Sequence, residues 1–455
     1  MDAGQRSVRV LMFPWLAYGH ISPFLQLART LARRNFMFYI ASSEINLASM
    51  RGKISEKESD SIKLVDLHIP ASPELPSHYH TTNGLPPHLM PALKEAMDLC
   101  RPRISALLKT LMPDLVLYDF LHPSVPEEAA AHDIPAVLFL STGAAASSYF
   151  IHHCFENHAS EYPFPGVSLR ESECPKSTGI KASDFDRLRE CVTRSCQIVL
   201  IKSFREIEGK YLGYLSTLTG KKFVPVGTVF QYPETMKNRE HDKFIEWLDE
   251  KVEEIALGLE ESGANFILVL RSPERGKIQE MLPRGFAERV CERGMVVEGW
   301  APQASILSHP SVGGFLSHCG WSSVMEAIHC SVAIIAVPMH LDQPLNARLV
   351  EELGIGEEVV RNGQGNLAVV IRKVLLETGE DSLKSKMREW SKRVREKGEE
   401  DADVVAVELV TLCERSGGMG LLPSNSVNGD GFFIYKTDRV NQTGLQGFPN
   451  QTVVK

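Results

Sequence analysis

The chain contains 455 residues, of which 43% are hydrophobic and 23% charged, a composition typical of a globular protein long enough for two α/β domains. Its formal net charge of -8 disfavours a nucleic acid or an anionic membrane surface as the partner. No stretch approaches the ~20 apolar residues of a spanning helix, and the N-terminal sequence lacks the features of a signal peptide, so we expect no membrane insertion and a cytoplasmic location.

Residues 8–230 alternate between short apolar runs and helical patterns. The apolar runs are rich in branched and aromatic residues, and they predict strands at 8–13, 36–42, 62–68, 115–120, 136–141 and 197–203. Helical patterns lie between them, for example at 21–34 and 89–111. Strands that alternate with helices indicate a parallel sheet covered on both faces. We therefore expect an N-terminal α/β domain over residues 1–234.

His20 follows the first predicted strand, and Ser22 and Pro23, two and three positions further on, suit the start of a helix. Sheets of this kind bind ligands beyond the carboxyl ends of their strands. An imidazole with a pKa near ~6.5 can accept a proton at neutral pH. His20 is therefore a candidate general base, although the residues alone also allow a surface histidine in a turn.

Asp119 lies at the end of the predicted strand 115–120 and is expected at the same edge of the sheet. A buried carboxylate there could hold an imidazole in one tautomer and stabilise its cation. It could equally cap the turn that follows the strand. The residues alone do not separate these two interpretations.

A second α/β series follows the polar run at 235–243, which indicates an interdomain linker. Its predicted strands are 265–270, 294–300, 313–318 and 333–338. Before them, residues 244–263 pass from one helical pattern directly into another at Lys251 and Val252. A final helix is expected at about 383–415, so the second domain spans 244–415. Residues 416–455 are rich in Gly, Asn and Ser, and they predict a disordered tail.

The most specific pattern is WAPQASILSHPSVGGFLSHCGWSSVMEAIHCSVAIIAVPMHLDQ, which runs from Trp300 to Gln343. It combines an apolar strand, a turn that carries His318, and a helix that opens with Ser322 and Ser323. Polar groups at the carboxyl end of a strand and at a helix N-terminus suit the pyrophosphate of a nucleotide.

This block resembles, almost position for position, the donor-binding signature of plant family-1 UDP-glycosyltransferases. The resemblance extends over roughly residues 7–415 and implies the glycosyltransferase-B architecture, in which two Rossmann-like domains face a cleft. It implies that His20 is the catalytic base and that Asp119 is its partner. The positions it assigns to the donor are Thr142, Trp300, Gln303, His318, Gly320, Trp321, Ser322, Ser323, Glu326, Asp342 and Gln343.

The resemblance also implies a role for each donor residue. Trp300 stacks on uracil and Gln303 holds the edge of the base, while Glu326 accepts hydrogen bonds from the ribose. His318 and Ser323 donate to the phosphates. Taken singly, each residue could be ordinary: Trp300 a core residue, for example, or Glu326 a helix acid.

On the same resemblance, Trp321, Asp342 and Gln343 face the hexose, and a final Gln tends to accompany UDP-glucose as the donor. No metal is implied, and the scattered histidines lack the regular spacing of a metal site. We therefore expect UDP-glucose as a donor substrate and no cofactor.

Two departures from the family pattern affect the donor site. Ser322 replaces an Asn that contacts phosphate or sugar. The apolar strand and Ser/Gly-rich loop that family members carry are missing between Lys251 and Val252. The second domain is therefore expected to lack its first strand, which is central in a doubly wound sheet.

The resemblance implies inverting transfer of a hexose to a hydroxyl of a plant small molecule. Segments 80–93 and 203–216 look most like the group that adds sugars to sugars already present on flavonoid, lignan or terpenoid glycosides. Two alternatives remain. The chain could be an inactive relative that binds nucleotide weakly or not at all, or, with a poorer fit, a UDP-sugar epimerase.

Overall fold

The structure is a computed structural model that describes residues 6–156, 160–173, 182–227, 243–270, 281–299, 301–360, 366–376, 379, 382–415 and 452–454. The first sheet contains β1 (Val8–Phe13), β2 (Phe36–Ser42), β3 (Ile62–Asp66), β4 (Leu115–Tyr118), β5 (Ala136–Leu140), β6 (Ile198–Ile201) and β7 (Lys222–Pro225). The helices of this half are α1 (Tyr18–Ala32), α2 (Glu44–Arg51), α3 (Met90–Asp98), α4 (Arg101–Leu111), α5 (Ser124–Ala130), α6 (Ala144–Phe155), α7 (Ala182–Arg194) and α8 (Arg205–Thr219).

All neighbours in the first sheet are parallel, in the order β3-β2-β1-β4-β5-β6-β7. The chain leaves β1 toward one edge and returns to β4 on the other side, so β1 and β4 flank the point where the order reverses. Their last paired residues are Phe13 and Tyr118. A crevice at the carboxyl ends of such strands is where α/β sheets bind ligands. Each strand predicted in this half is present, to within two residues.

The helix predicted at 89–111 is wrong as a single element, because the structure divides it into α3 and α4. Pro102 lies in the first turn of α4. A proline there lacks the N–H that would continue the preceding helix, whereas it is tolerated in a first turn. The edge strands β7 and the later β12 were not predicted.

The second half contains α9 (Lys243–Ser262), β8 (Asn265–Leu270), α10 (Phe286–Val290), β9 (Gly294–Glu298), α11 (Gln303–Leu307), β10 (Val312–Ser317), α12 (Trp321–Cys330), β11 (Ala333–Ala336), α13 (Gln343–Glu352), β12 (Gly356–Glu358), α14 (Asn366–Leu376), α15 (Leu383–Arg415) and β13 (Thr452–Val454). Its sheet is parallel, in the order β12-β11-β10-β13-β8-β9. The polar run predicted as a linker lies outside the described residues except for Lys243.

The predicted absence of a strand between Lys251 and Val252 is confirmed, because α9 runs without interruption through both residues. The place of that strand in the sheet, however, is occupied. The C-terminal strand β13 pairs with β8 on one side and with β10 on the other, with Val453 opposite Phe266 and Gly314.

The prediction of a tail disordered throughout 416–455 is therefore wrong for Thr452–Val454, while the other residues of the tail lie outside the described part of the chain. An empty central position would leave two rows of unpaired backbone groups facing each other, and a short β-branched segment satisfies them.

The final helix α15 connects the two halves of the molecule. Its early residues Met387 and Val394 belong to a core cluster that includes α12 and α13. Its later residues Val405 and Leu409 pack with the strands of the first sheet. The second domain predicted for 244–415 thus includes a helix whose end lies on the first domain.

Ion pairs also join the two halves of the molecule. The Arg170 guanidinium donates to both carboxylate oxygens of Glu358, at 2.7 and 3.0 Å. Arg348 donates to both oxygens of Glu173, at 2.8 and 2.6 Å. The first pair is the more shielded at its acidic end, because the Glu358 side chain is 3% exposed. The Arg170–Glu358 pair uses two nitrogens and two oxygens, and two-point pairing of this kind fixes geometry as well as charge.

Candidate functional site

The structure brings His20 and Asp119 together at the point where the first sheet reverses its strand order. His20 lies in the first turn of α1, and its Nδ1 is 2.8 Å from Asp119 Oδ2. The Ser141 hydroxyl, at the end of β5, lies 3.3 Å from the same nitrogen. Because a carboxylate only accepts, Nδ1 donates to Asp119 and leaves Nε2 as the basic nitrogen.

Burial and the neighbouring charges change the pKa of His20 in opposite directions. Desolvation by itself lowers the pKa of the imidazole, but the adjacent Asp119 carboxylate outweighs it, with a smaller contribution from Asp342, so the net pKa lies above its usual value. The His20 side chain is 20% exposed and that of Asp119 is 0% exposed. The pair therefore presents a partly accessible base backed by a fully buried carboxylate, an arrangement suited to general-base catalysis.

Asp119 is held by the backbone that follows β4. Its N–H donates to the Phe13 carbonyl at 3.2 Å, and its own carbonyl accepts from the His122 N–H at 3.1 Å. Within the described residues its second carboxylate oxygen, Oδ1, is buried without a hydrogen-bond partner. The turn-capping alternative is not seen at the side chain, because Oδ2 contacts the imidazole rather than a backbone N–H.

The donor-side residues lie where β10 meets α12. Cys319 adopts a left-handed conformation with φ 63°, and its N–H donates to the Ser317 hydroxyl at 3.1 Å. Gly320 then caps α12, and a Cβ on it would lie 2.6 Å from His318 Nε2. His318 is exposed at this corner. The turn thus packs an imidazole directly over the start of a helix, where anions are favoured.

Trp321 and Ser322, the first two residues of α12, contact the first domain. The Trp321 indole N–H donates to the Lys202 carbonyl, and Lys202 Nζ donates to the Ser322 hydroxyl at 2.7 Å. A Cβ added to Gly143 would lie 2.9 Å from the Trp321 ring, so only glycine allows this close approach. The adjacent Thr142 hydroxyl bonds with that of Ser147 at 2.8 Å.

Gln303 and Glu326 form a pair at the side of α12. The Gln303 amide donates to Glu326 Oε2 at 2.8 Å. Burial raises the pKa of Glu326, although the hydrogen bond from Gln303 and the charge of Lys202 oppose that change. Ser323 lies in the same first turn, its N–H bonded to the Gly320 carbonyl at 2.8 Å. Trp300, predicted to stack on a base, lies outside the described residues.

Asp342 and Gln343 begin α13 across the cleft from His20. Asn346 donates to Asp342 Oδ2 and to the Cys319 carbonyl, each at 2.9 Å, which ties this turn to the start of α12. Burial raises the pKa of Asp342, and the charge of His20 acts in the opposite direction. The side-chain oxygen of Gln343, Oε1, accepts from the backbone N–H groups of Met339 and His340, at 3.0 and 3.1 Å. Its amide nitrogen is therefore the group left to meet a ligand.

Several residues of this site were missed by the sequence interpretation. They are Ser141, Lys202, Glu208 and Asn346. Glu208 is fully buried, accepts from the Ala145 N–H at 2.7 Å at the start of α6, and has a pKa raised to about 7 by burial. Only the place of Ser141 and Lys202 at the ends of predicted strands could have indicated them.

Among the described residues no group of three or more His, Cys, Asp or Glu side chains could hold a metal ion. In the same part of the chain, no helix combines the length and apolarity needed to cross a membrane. The expectation that no cofactor is required stays a prediction.

Both halves of the chain are similar to known protein families. Two family descriptions match: "Glycosyltransferase, N-terminal domain" over residues 6–229 and "UDP-glucoronosyl and UDP-glucosyl transferase" over residues 244–373. UDP-glucosyltransferase 29 of Panax ginseng is 46% identical, covering 91% of this chain and 99% of that protein.

A second relative and a solved structure extend the comparison. The β-D-glucosyl crocetin β-1,6-glucosyltransferase of Gardenia jasminoides is 45% identical, covering 88% of this chain and 98% of that protein. The crystal structure of UGT73P12 of Glycyrrhiza uralensis, complexed with glycyrrhetinic acid 3-O-monoglucuronide, matches with a TM-score of 0.74 at 22% identity, covering 90% of this chain and 96% of that one. The glycosyltransferase-B architecture is thereby confirmed.

Proposed function

This chain belongs to the plant UDP-glycosyltransferase family, and within that family we propose that it transfers glucose from UDP-glucose to a sugar hydroxyl of a small-molecule glycoside. The acceptor class is a flavonoid, lignan or terpenoid glycoside. The observation that carries the proposal is the His20–Asp119 pair, 2.8 Å apart at the carboxyl ends of β1 and β4. The name of the Gardenia relative, which describes transfer to a glucosyl compound, supports the choice of acceptor.

The proposed reaction is an inverting displacement. His20 Nε2 removes the proton of the acceptor hydroxyl as that oxygen forms a bond to the anomeric carbon of the donor. The bond between that carbon and the phosphate oxygen breaks, and its electron pair leaves with UDP. Asp119 stabilises the imidazolium that results, while the N-terminus of α12 and the residues around it stabilise the charge that develops on the diphosphate.

The donor roles form part of the same proposal. Ser322, Ser323 and His318 lie where a diphosphate would meet the start of α12, and Glu326 lies one turn further along the helix. Asp342 begins α13 on the side nearest His20, which suits a hexose held between base and leaving group.

The inactive alternative rested on the missing strand. In the structure β13 occupies that position and His20 and Asp119 are paired, so no observation now favours it. An epimerase would act on UDP-glucose without an acceptor, and product analysis in the absence of acceptor separates the two reactions. The cytoplasmic location stays a prediction.

A thermal melt with UDP and an acceptor comparison test the proposal. UDP at a hundred times its dissociation constant should stabilise the folded state by about 2.7 kcal/mol. With UDP-glucose, a flavonoid monoglucoside should gain one hexose, whereas its matched aglycone should react much more slowly. A melt unchanged by UDP would contradict donor binding, and transfer to the aglycone alone would contradict the sugar-on-sugar acceptor.

The pH at which kcat/KM rises should depend on the Asp119 carboxylate, because that carboxylate raises the pKa of His20. Because Asp119 and Asp342 raise the pKa of His20 above 6.5 and the reaction needs the neutral imidazole, kcat/KM should rise with pH through that raised pKa. In Asp119→Asn the imidazolium loses its main stabilising partner, so this acid limb should move to lower pH while the plateau rate falls. An acid limb at an unchanged pH would show that Asp119 does not act on His20.

A further inference from the structure

Lys202 joins the two domains at the donor side of the cleft. It directly follows β6 in the first domain, and its side chain is almost completely buried, since the residue is 2% exposed. Its carbonyl accepts from the Trp321 indole, and its Nζ donates to the Ser322 hydroxyl at 2.7 Å. Both ends of one lysine therefore contact the first turn of α12 in the other domain.

The hydrogen bond to Ser322 can run in one direction only. An ammonium group has donors and no acceptor, so the Ser322 oxygen must accept from Lys202 Nζ. The hydroxyl proton of Ser322 is then directed away from the lysine. Ser322 is exposed and is the second residue of α12, so that proton is available to a ligand at the start of the helix.

The Lys202 ammonium group, which donates to Ser322, has no direct carboxylate partner in the described part of the chain. Among the residues that the structure describes, no carboxylate lies within ion-pair distance of Lys202 Nζ, and the nearby charges of Glu326 and Asp342 act on it only through space. Burial lowers the pKa of Lys202 to about 8, against those two carboxylates, so the group is mostly protonated at neutral pH. A buried cation whose hydrogen bond goes to one hydroxyl strengthens that hydroxyl as a donor.

We propose that Lys202 is a positioning residue, which holds the Ser322 hydroxyl as an outward donor to the diphosphate of the UDP-sugar and of the departing UDP. This inference rests on the proposed function, because it assigns the diphosphate to the start of α12. Without Lys202 the hydroxyl can rotate, and it then loses both its fixed direction and the positive charge behind it.

Calorimetric titrations with UDP and with uridine test this role in four proteins: the wild type, Lys202→Met, Ser322→Ala and the double variant. Lys202→Met and Ser322→Ala should each weaken UDP binding about tenfold, the size expected for one hydrogen bond to a charged group. Neither should change the affinity for uridine, which lacks phosphate. The double variant should bind UDP no more weakly than the weaker single variant, because the lysine acts through the serine. Additive losses would mean that Lys202 contacts the diphosphate itself, and they would overturn the positioning role.

Two further variants separate this role from a structural one. Lys202→Arg keeps a cationic donor and should retain most of the UDP affinity, so a loss equal to that of Lys202→Met would contradict the inference. Lys221→Met removes another partly buried lysine of the first domain, whose Nζ donates to the Ser195 and Cys196 carbonyls. It should lower the melting temperature without changing UDP affinity.

The remaining outcomes distinguish the two proposals. Wild-type protein that binds UDP, with unchanged binding in Lys202→Met, would overturn this inference alone. A wild-type protein that binds no UDP would overturn the proposed function together with it. Equal losses of UDP and uridine affinity in Lys202→Met would show a merely structural effect and would also overturn the inference.

Discussion

His20→Ala is expected to reduce kcat by about 10²–10⁴-fold, the usual contribution of a positioned general base. The imidazole is the basic group that Asp119 orients at the cleft edge, with Nδ1 2.8 Å from the carboxylate. Without it, the acceptor hydroxyl must lose its proton to water while it attacks the anomeric carbon. Steady-state kinetics with UDP-glucose and a flavonoid monoglucoside measure the change.

The effect should fall on the chemical step rather than on donor binding, so the dissociation constant for UDP should stay close to that of the wild type. His132→Ala provides a matched control, because His132 contacts the Ser105 hydroxyl at 2.9 Å, away from the cleft. That variant should keep the wild-type rate. A His20→Ala enzyme within tenfold of wild-type kcat would remove His20 from the catalytic role.

Removal of the C-terminal strand is expected to unfold or severely destabilise the second domain. Deleting residues 452–455 would expose the facing edges of β8 and β10, which both pair with β13 in the centre of the sheet. Each buried backbone group left without a partner costs ~1–3 kcal/mol, and whole domains are stable by only ~5–15 kcal/mol. Thermal unfolding should show a lost or much lower transition, and UDP should no longer raise it.

A single substitution makes the same test at the backbone. Val453→Pro removes the N–H that pairs within the sheet, whereas Val453→Ala keeps it and serves as the control. The proline variant should be less stable than the alanine variant by at least ~1–3 kcal/mol, because a partner carbonyl in the sheet loses its donor. A truncated protein that melts like the wild type, with its full response to UDP, would show that β13 does not support the second domain.

The sequence predicted the centre of the first domain well because its middle strands, such as β4 and β5, are buried on both faces. Runs such as Leu115–Tyr118 and Ala136–Leu140 are buried throughout, so continuous apolar segments bounded by helical patterns located them. A short edge strand without an apolar pattern is harder to recognise. β12, with the sequence Gly-Glu-Glu, carries no apolar pattern, and its pairing with β11 decides that it is a strand.

The candidate base and its partner were likewise accessible from the sequence. His20 and Asp119 each follow an apolar strand, and the rule that neighbouring strands end at one edge of a parallel sheet places them together. Lys202 could not be assigned in this way. Its proposed role depends on its contact with Ser322, which lies 120 positions away along the chain and in the other domain.

By itself, the sequence determined the two α/β halves, the donor signature and the gap at Lys251 and Val252, because these depend on local pattern and on residue type at fixed spacing. It gave the pairing of His20 with Asp119 only through the family resemblance. Tertiary structure alone decided which segment fills that gap, how α15 joins the halves, and how Lys202 reaches Ser322. Three residues at the end of a polar tail have no pattern that marks them as a central strand. The unpaired edges of β8 and β10 supply the reason for their placement, and those edges exist only once the sheet has formed.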